Sequence, residues 1–253
     1  MNIGVVSSHV YPYTKGGVEK RVFEVGKRLS ARGHTVTVYG FHWWDGPREI
    51  EHEGMTLRGV ATPGDQFSGE RRSILEAVKY SVQLAPVLYR NAKHHDIIDI
   101  ASTAEQFPIL VCGFVSKLNK PTLVTTWHEV WPYAYWREYV GAFAPMAWSI
   151  QRAAMTVDQV PIAVNELTAE RLEPYGFPRH RVEVIPNGVE IATVRATNPI
   201  EPGFEVLYVG RLIPEKNVDV LLSAFDIVAN GWGDNRLGII GDGHQSENLK
   251  ELR

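Results

Sequence analysis

Short apolar stretches rich in β-branched residues alternate along this chain with longer stretches of helical period, and that alternation restricts the fold more than any other feature. Asn2 to Ser7 reads as a buried strand. A polar, glycine-rich loop runs on to Gly17, after which Val18, Val22, Val25 and Leu29 recur at spacings that keep one helix face apolar. Gly33 supplies a C-terminal stop, and Thr35 to Tyr39 alternates as a second strand. This opening stretch predicts a βαβ unit.

The pattern repeats at Leu57 to Val60, Ile97 to Ala101, Thr122 to Thr126, Ile162 to Val164 and Val182 to Ile185, mostly separated by helical periods such as Ile74 to Arg90. Strand and helix in alternation predict the α/β class, with a mainly parallel, doubly wound sheet covered by helices on both faces. Between Val189 and Phe204 the pattern breaks into Thr193, Thr197, Asn198, Pro199, Pro202 and Gly203, a composition suited to a connector. A second cycle follows: a strand at Glu205 to Val209, a helix at Asn217 to Ala229 with Leu221, Leu222 and Phe225 inward, and a strand at Leu237 to Ile240. The expected organisation is a Rossmann-like domain over 1–190, a connector over 191–203 and a second, incomplete Rossmann-like domain over 204–253. An open α/β sheet carries about five or six strands, and this last stretch offers only a pair.

Composition narrows the function. The chain has 253 residues, 44% hydrophobic and 22% charged, as a globular protein does. A formal charge of -3 provides no basic field, so nucleic acid is not an expected partner. The start runs directly into a strand without leader features, and the expected location is cytoplasmic. No apolar run approaches the roughly 18 residues needed to span a bilayer, so any membrane contact would be peripheral. The single cysteine, Cys112, sits in the apolar run Ile109 to Val115; an internal disulfide is excluded and a buried thiol is expected.

Four turns carry the chemistry. Thr14-Lys15-Gly16-Gly17-Val18-Glu19 lies between a strand and a helix start, where adjacent glycines admit close approach and free N–H groups favour anions. A tight structural turn explains it equally well. Ile185-Pro186-Asn187-Gly188-Val189-Glu190 stands where the first domain meets the connector; it reads either as a plain Asn-Gly turn or as part of an interdomain donor site. Gly210-Arg211-Leu212-Ile213-Pro214-Glu215-Lys216-Asn217 sets two cations beside a helix N-terminus, fit for a diphosphate, with a solvated charged loop as the alternative. Gly241-Asp242-Gly243 follows the next strand, where glycines could admit a base or ribose.

Taken in order, Gly16-Gly17, His128, Pro186-Asn187-Gly188-Val189, Gly210-Arg211-Leu212 with Glu215-Lys216, and Gly241-Asp242-Gly243 resemble glycosyltransferase family 4 over essentially the whole chain. The resemblance implies the GT-B fold, two Rossmann-like domains with the active site between them, and retaining transfer from a UDP- or GDP-sugar. It also implies no metal and no cofactor, the nucleotide sugar being a co-substrate, and a carbohydrate or lipid-linked acceptor. By the same resemblance Arg211 and Lys216 hold the donor diphosphate, Gly16, Gly17, Gly241 and Gly243 line the donor, Asn187, Gly188 and Glu190 lie near it, and His128 contacts the transferred sugar. The family's paired donor-binding glutamates fall beyond Gly241-Asp242-Gly243, so the chain is expected to be an inactive part of the enzyme. The alternative is a non-catalytic sugar-nucleotide-binding or scaffold protein.

Aromatic residues crowd the stretch after His128: Trp131, Tyr133, Tyr135, Trp136, Tyr139, Phe143 and Trp148, with Trp127 before it. They suit sugar stacking, a membrane interface or a helix-packing core. Lys15, Lys20, Arg21, Arg71 and Arg72 read as a basic fringe for a lipid phosphate or as scattered surface charge. A nicotinamide oxidoreductase is disfavoured because Gly241-Asp242-Gly243-His244-Gln245-Ser246 has serine at the third glycine position. Zinc hydrolysis is disfavoured because Pro132 stands where the second histidine after His128-Glu129 would be needed.

Overall fold

The computed structural model describes residues 1–64, 67–68, 71–103, 106–199, 203–232 and 235–251. The chain divides into two compact units, Met1–Gly188 and Val189–Arg253.

The first unit runs β1 (Asn2–Val6), α1 (Gly17–Ala31), β2 (Thr35–Phe41), β3 (Glu49–His52), β4 (Met55–Ala61), β5 (Phe67–Ser68), β6 (Arg71–Arg72) and α2 (Ile74–Ala92). It continues with β7 (Ile97–Ser102), α3 (Phe107–Asn119), β8 (Thr122–Trp127), α4 (Tyr133–Val140), α5 (Ala144–Met155), β9 (Val160–Ala163), α6 (Glu166–Leu172) and β10 (Glu183–Val184). Eight of these strands form one sheet in the order β10-β9-β8-β7-β1-β2-β4-β3, parallel throughout except that β3 pairs antiparallel with β4. The chain leaves β1 toward β2 and later returns on the other side through β7, so the order reverses between β1 and β7.

Alternate residues of the strands feed two separate cores. Ile3, Val5, Val36, Val38, Met55 and Leu57 pack with Val22 and Phe23 of α1. Val6, Tyr39, Phe41, Ile98, Ile100 and Trp127 pack with α2, α3, α5 and α6 through Leu84, Cys112, Met155 and Leu172. Helices therefore cover both faces, as the alternation predicted. Cys112 is fully buried in the second of these cores.

The buried stripe of α1 is rotated from the expected one. Glu19, Val22, Phe23 and Gly26 are buried, whereas Val25 is exposed. The reason is Gly26, whose missing side chain makes room for the Met55 sulfur. The helix ends in a Schellman motif: Gly33 N–H donates to Ser30 O at 2.9 Å, His34 N–H donates to Leu29 O at 3.2 Å, and Gly33 holds φ +85°. Strand β3 was not expected, because Glu49-Ile50-Glu51-His52 is polar and carries one apolar residue on a sheet edge. It is recruited by a two-residue hairpin turn in which Glu53 and Gly54 both have positive φ, 50° and 78°.

In the second unit α7 (Ile191–Ala196), β11 (Val206–Val209), α8 (Val218–Trp232), β12 (Leu237–Ile240) and α9 (Ser246–Glu251) follow one another. The stretch read as a connector thus contains a short exposed helix, α7. Strands β11 and β12 pair in parallel, and Leu212, Val218 and Leu249 form a small core with Tyr208, Leu222 and Ile239 against it. Leu221, Leu222 and Phe225 are half-buried, and Val218 is the fully buried residue of α8. Among the described residues no helix is long and apolar enough to cross a membrane.

Candidate functional site

The carboxyl ends of parallel strands at a reversal of strand order are where open α/β sheets hold ligands. In the first unit this place lies at the ends of β1, β7 and β8. Trp127, the last residue of β8, is fully buried and its indole donates to Gln159 Oε1 at 3.2 Å, while the Gln159 amide donates to Ala154 O at 2.9 Å. His128 follows directly, and its N–H donates to Ser102 O at the end of β7 at 3.0 Å. The anchored tryptophan and this backbone bond fix where the imidazole starts.

Strand alternation puts Thr126 on the α1 side of the sheet together with Asp99, whose neighbours in register are Val5 and Val124. The Thr126 hydroxyl donates to Asp99 Oδ1 at 3.1 Å. Arg21 of α1 completes the group. Its guanidinium is close enough to act electrostatically on both Asp99 and His128, and its one hydrogen bond is a long one, 3.5 Å, to Ile185 O. Burial holds Arg21 below the usual guanidinium range, partly offset by Asp99. Burial also pushes Asp99 up to about 6, against the opposing pull of the Thr126 hydrogen bond and Arg21.

The same two influences act together on His128. Burial first, and the Arg21 charge second, bring its imidazole down to about 4. At neutral pH the ring is uncharged, and its Nε2 is buried without a hydrogen-bond partner. An uncharged imidazole with a free nitrogen at the strand edge can exchange a hydrogen bond with a hydroxyl, and it cannot serve as an ion-pair partner.

Arg21 is therefore not part of a surface fringe. Lys20 is exposed, paired with Glu24 at 2.7 Å and set 4.5 Å over the Tyr11 ring; Lys15 is exposed. The side chains of Arg71 and Arg72 lie outside the described residues. Sequence reasoning missed Asp99, although a carboxylate inside the apolar run Ile97-Ile98-Asp99-Ile100 was a visible signal.

The glycine positions differ in what surrounds them. A side chain at Gly16 would collide with the Glu19 carboxylate, which folds back over the helix start, whereas Gly17 faces open space. Asn187, Gly188 and Glu190 are exposed. In the second unit a side chain at Gly241 would run into the Gly210 carbonyl, and one at Gly243 into the Leu212 backbone. Leu212 N–H donates to Asp242 O at 2.9 Å, and Gln245 N–H donates to Leu212 O at 3.1 Å. At these two glycines the 241–243 turn lies against 210–212. Arg211 and Lys216 stand exposed on that same loop, and among the described residues neither has an ion-pair partner.

The aromatic stretch is divided between core and surface. Gln151, fully buried on α5, accepts from the Trp136 indole at 3.1 Å and from Trp131 N–H at 3.3 Å, and donates to Trp131 O at 2.8 Å. Trp136 is buried, Trp131, Tyr139 and Trp148 are half-buried, and Tyr133, Tyr135 and Phe143 are exposed. Among the described residues no three histidine, cysteine or acidic side chains gather as a metal site.

Among known structures, GT-B glycosyltransferases share this architecture. Anabaena HepE, solved in complex with UDP-glucose, superposes with a TM-score of 0.65 at 16% identity over 100% of this chain and 64% of its own. Sucrose-phosphate synthase from Thermosynechococcus elongatus gives 0.69 at 17% identity over 99% of this chain and 67% of its own. An uncharacterised 42.6 kDa protein in the cps region of Klebsiella pneumoniae is 37% identical over 57 residues, 22% of this chain and 15% of that protein. The chain thus spans about two thirds of the first two proteins and a small part of the third. Residues 191–253 match the glycosyl transferases group 1 family. Residues 15–193 match Glycosyltransferase Family 4, and the chain belongs to that family with a GT-B fold.

Proposed function

We propose that the protein carrying this chain is a retaining glycosyltransferase that moves a hexose from a UDP- or GDP-sugar to a carbohydrate or lipid-linked acceptor. It acts in the cytoplasm, at the inner face of the cell membrane. The observation that carries this reading is the uncharged His128 with its unpartnered Nε2 at the end of β8. HepE was solved with UDP-glucose, which supports a nucleotide sugar as donor.

Retention requires the donor to lose its nucleotide and take the acceptor oxygen on the same face. The barrier then depends on stabilising an electron-poor sugar beside a departing diphosphate. His128 binds a hydroxyl of that sugar without adding positive charge next to it. Arg211 and Lys216 take the diphosphate charge, as paired cations beside a helix start are suited to do. Asn187, Gly188 and Glu190 lie near the donor in this reading. No metal or cofactor takes part.

In the described structure Arg211 and Lys216 are exposed and unpaired, and catalysis needs such groups held in place beforehand. The chain by itself therefore binds donor weakly and turns over negligibly. Calorimetric titration with UDP-glucose and a GDP-sugar tests this, micromolar binding being the contrary result. In the transfer-active protein His128→Ala is expected to lower turnover on the order of 10²-fold with the fold intact, the scale of a lost positioned catalytic group. Near wild-type transfer and donor hydrolysis by that variant would make His128 structural.

A further inference from the structure

A groove opens in the first unit between the starts of α2 and α3 and the α4–α5 pair. Ile74, Phe107, Trp136, Tyr139, Met146 and Ile150 make most of its wall. One polar side chain in that wall is deeply buried: Gln106 is 3% exposed, and its amide donates to Thr103 O at 2.7 Å. Among the described residues its Oε1 is buried with no hydrogen-bond partner. A buried carbonyl left unpaired costs free energy, and such groups in native proteins call for an explanation. Here the orphan acceptor belongs to a side chain in the wall of an apolar groove.

We propose that this groove takes the hydrocarbon chain of a lipid-type acceptor whose first polar group, a hydroxyl or amide N–H, donates to Gln106 Oε1. The inference rests on the transferase reading and names the acceptor class for it. A sugar-only acceptor does not match walls of this kind, which apart from Gln106 and the hydroxyls of Ser73 and Tyr139 are aromatic and aliphatic. A compact aromatic group would leave the surroundings unexplained, because the apolar surface continues past the groove. Leu75, next to Ile74, is 80% exposed, and Phe143, ahead of Met146, is 62% exposed. A long chain uses that continuation.

Position and charge agree with this occupant. Gln106 stands four residues after Ser102, whose carbonyl accepts from His128 N–H. The hydrocarbon lies along α2 and the α4–α5 pair. Arg137 on α4 and Arg152 on α5 are exposed beside it, with Arg152 set 4.8 Å from the Trp148 ring, and Glu138 is the acidic residue of α4. Two guanidinium groups and an aromatic rim suit the anionic, half-apolar boundary of a lipid surface.

The test titrates the full chain with hexan-1-ol, octan-1-ol and 1-methoxyoctane, read by methyl resonances in nuclear magnetic resonance. Shifts are expected at Ala77, Met146, Ala147 and Ile150. Affinity should rise roughly fourfold per added methylene, so octan-1-ol, with two more, should exceed hexan-1-ol about fifteenfold. Octan-1-ol, which donates a hydrogen bond, should bind several-fold tighter than 1-methoxyoctane, and Gln106→Leu should abolish that preference. Ala147→Trp, which fills the groove, should weaken binding at least tenfold; if that variant does not fold, the wild-type shift map and chain-length series decide. Shifts elsewhere, no chain-length dependence, or a donor preference that survives Gln106→Leu overturn the proposal. Loss of alkanol binding with transfer to a water-soluble sugar intact overturns the acceptor class alone. Alkanol binding in a protein that shows no donor-dependent transfer overturns the transferase reading instead.

Discussion

The Thr126 hydroxyl on β8 donates to Asp99 Oδ1 on β7 at 3.1 Å, tying two neighbouring strands together on the face that α1 and Arg21 approach. The bond does not keep Asp99 a normal carboxylate. Burial outweighs both this hydrogen bond and the Arg21 charge, and Asp99 titrates near 6, close to where His128, pushed down to about 4, has already lost its proton.

The two shifts have opposite effects on stability. Between about pH 4 and 6 folded Asp99 keeps a proton that the unfolded chain has released, so its contribution falls as pH rises. Over about pH 4 to 6.5 the unfolded chain binds a proton at His128 that the folded chain does not, so that contribution grows as pH rises. Each is on the order of 3 kcal/mol, and in the wild type they largely cancel. Chemical denaturation across this range should show Asp99→Asn gaining on wild type as pH rises, and His128→Asn losing on it. Parallel curves for all three proteins would remove the electrostatic account of this cluster.

Gln151→Leu should strip Trp131 N–H, Trp131 O and the Trp136 indole of their partner at once. Leaving such groups buried and unpaired costs about 3 kcal/mol in total. Thermal unfolding measures the loss, and a change in tryptophan fluorescence should accompany it. A variant of unchanged stability would mean that water replaces the glutamine without penalty.

Gly241→Ala should destabilise the second unit by more than about 2 kcal/mol, because the new methyl meets the Gly210 backbone carbonyl and not a movable side chain. Faster hydrogen exchange confined to β11 and β12 is the expected signature. Gly188→Ala, which meets nothing, should stay within about 0.5 kcal/mol. If both substitutions are silent, the packing role assigned to Gly241 is wrong.

Cys112 should resist alkylation in the native protein. Burial, with Asp99 adding in the same direction, pushes its thiol far above the usual range, and the thiolate is the reactive form. Iodoacetamide at pH 8 should label the unfolded chain fully and the folded chain scarcely; rapid native labelling would show that the α3 core opens readily.

Much of this fold is set by local pattern. Val36 and Val38, or Ile98 and Ile100, announce a strand by their spacing alone, and Gly33 announces a helix stop because few other residues accept its positive φ. The order of strands and helices then leaves few topologies other than a doubly wound parallel sheet, and the ordered turns from Gly16 to Gly243 were enough to indicate the family. The same resemblance singled out His128, at the end of the strand from Thr122.

What the tertiary structure decided are relations between residues far apart in the chain. Arg21 looked like one more surface cation, and only the approach of α1 to β7 and β8 sets it against Asp99 and His128. Gly241 and Gly243 were read as openings for a nucleotide, and only the return of the chain beside Gly210 and Leu212 shows how closely backbone also approaches them. Strand β3 has no apolar period to reveal it, since an edge strand is specified by its hairpin turn and its partner. Periodicity records which face of an element is buried but not against what, and a shifted pKa, an orphaned carbonyl or a forbidden methyl arises from that second element.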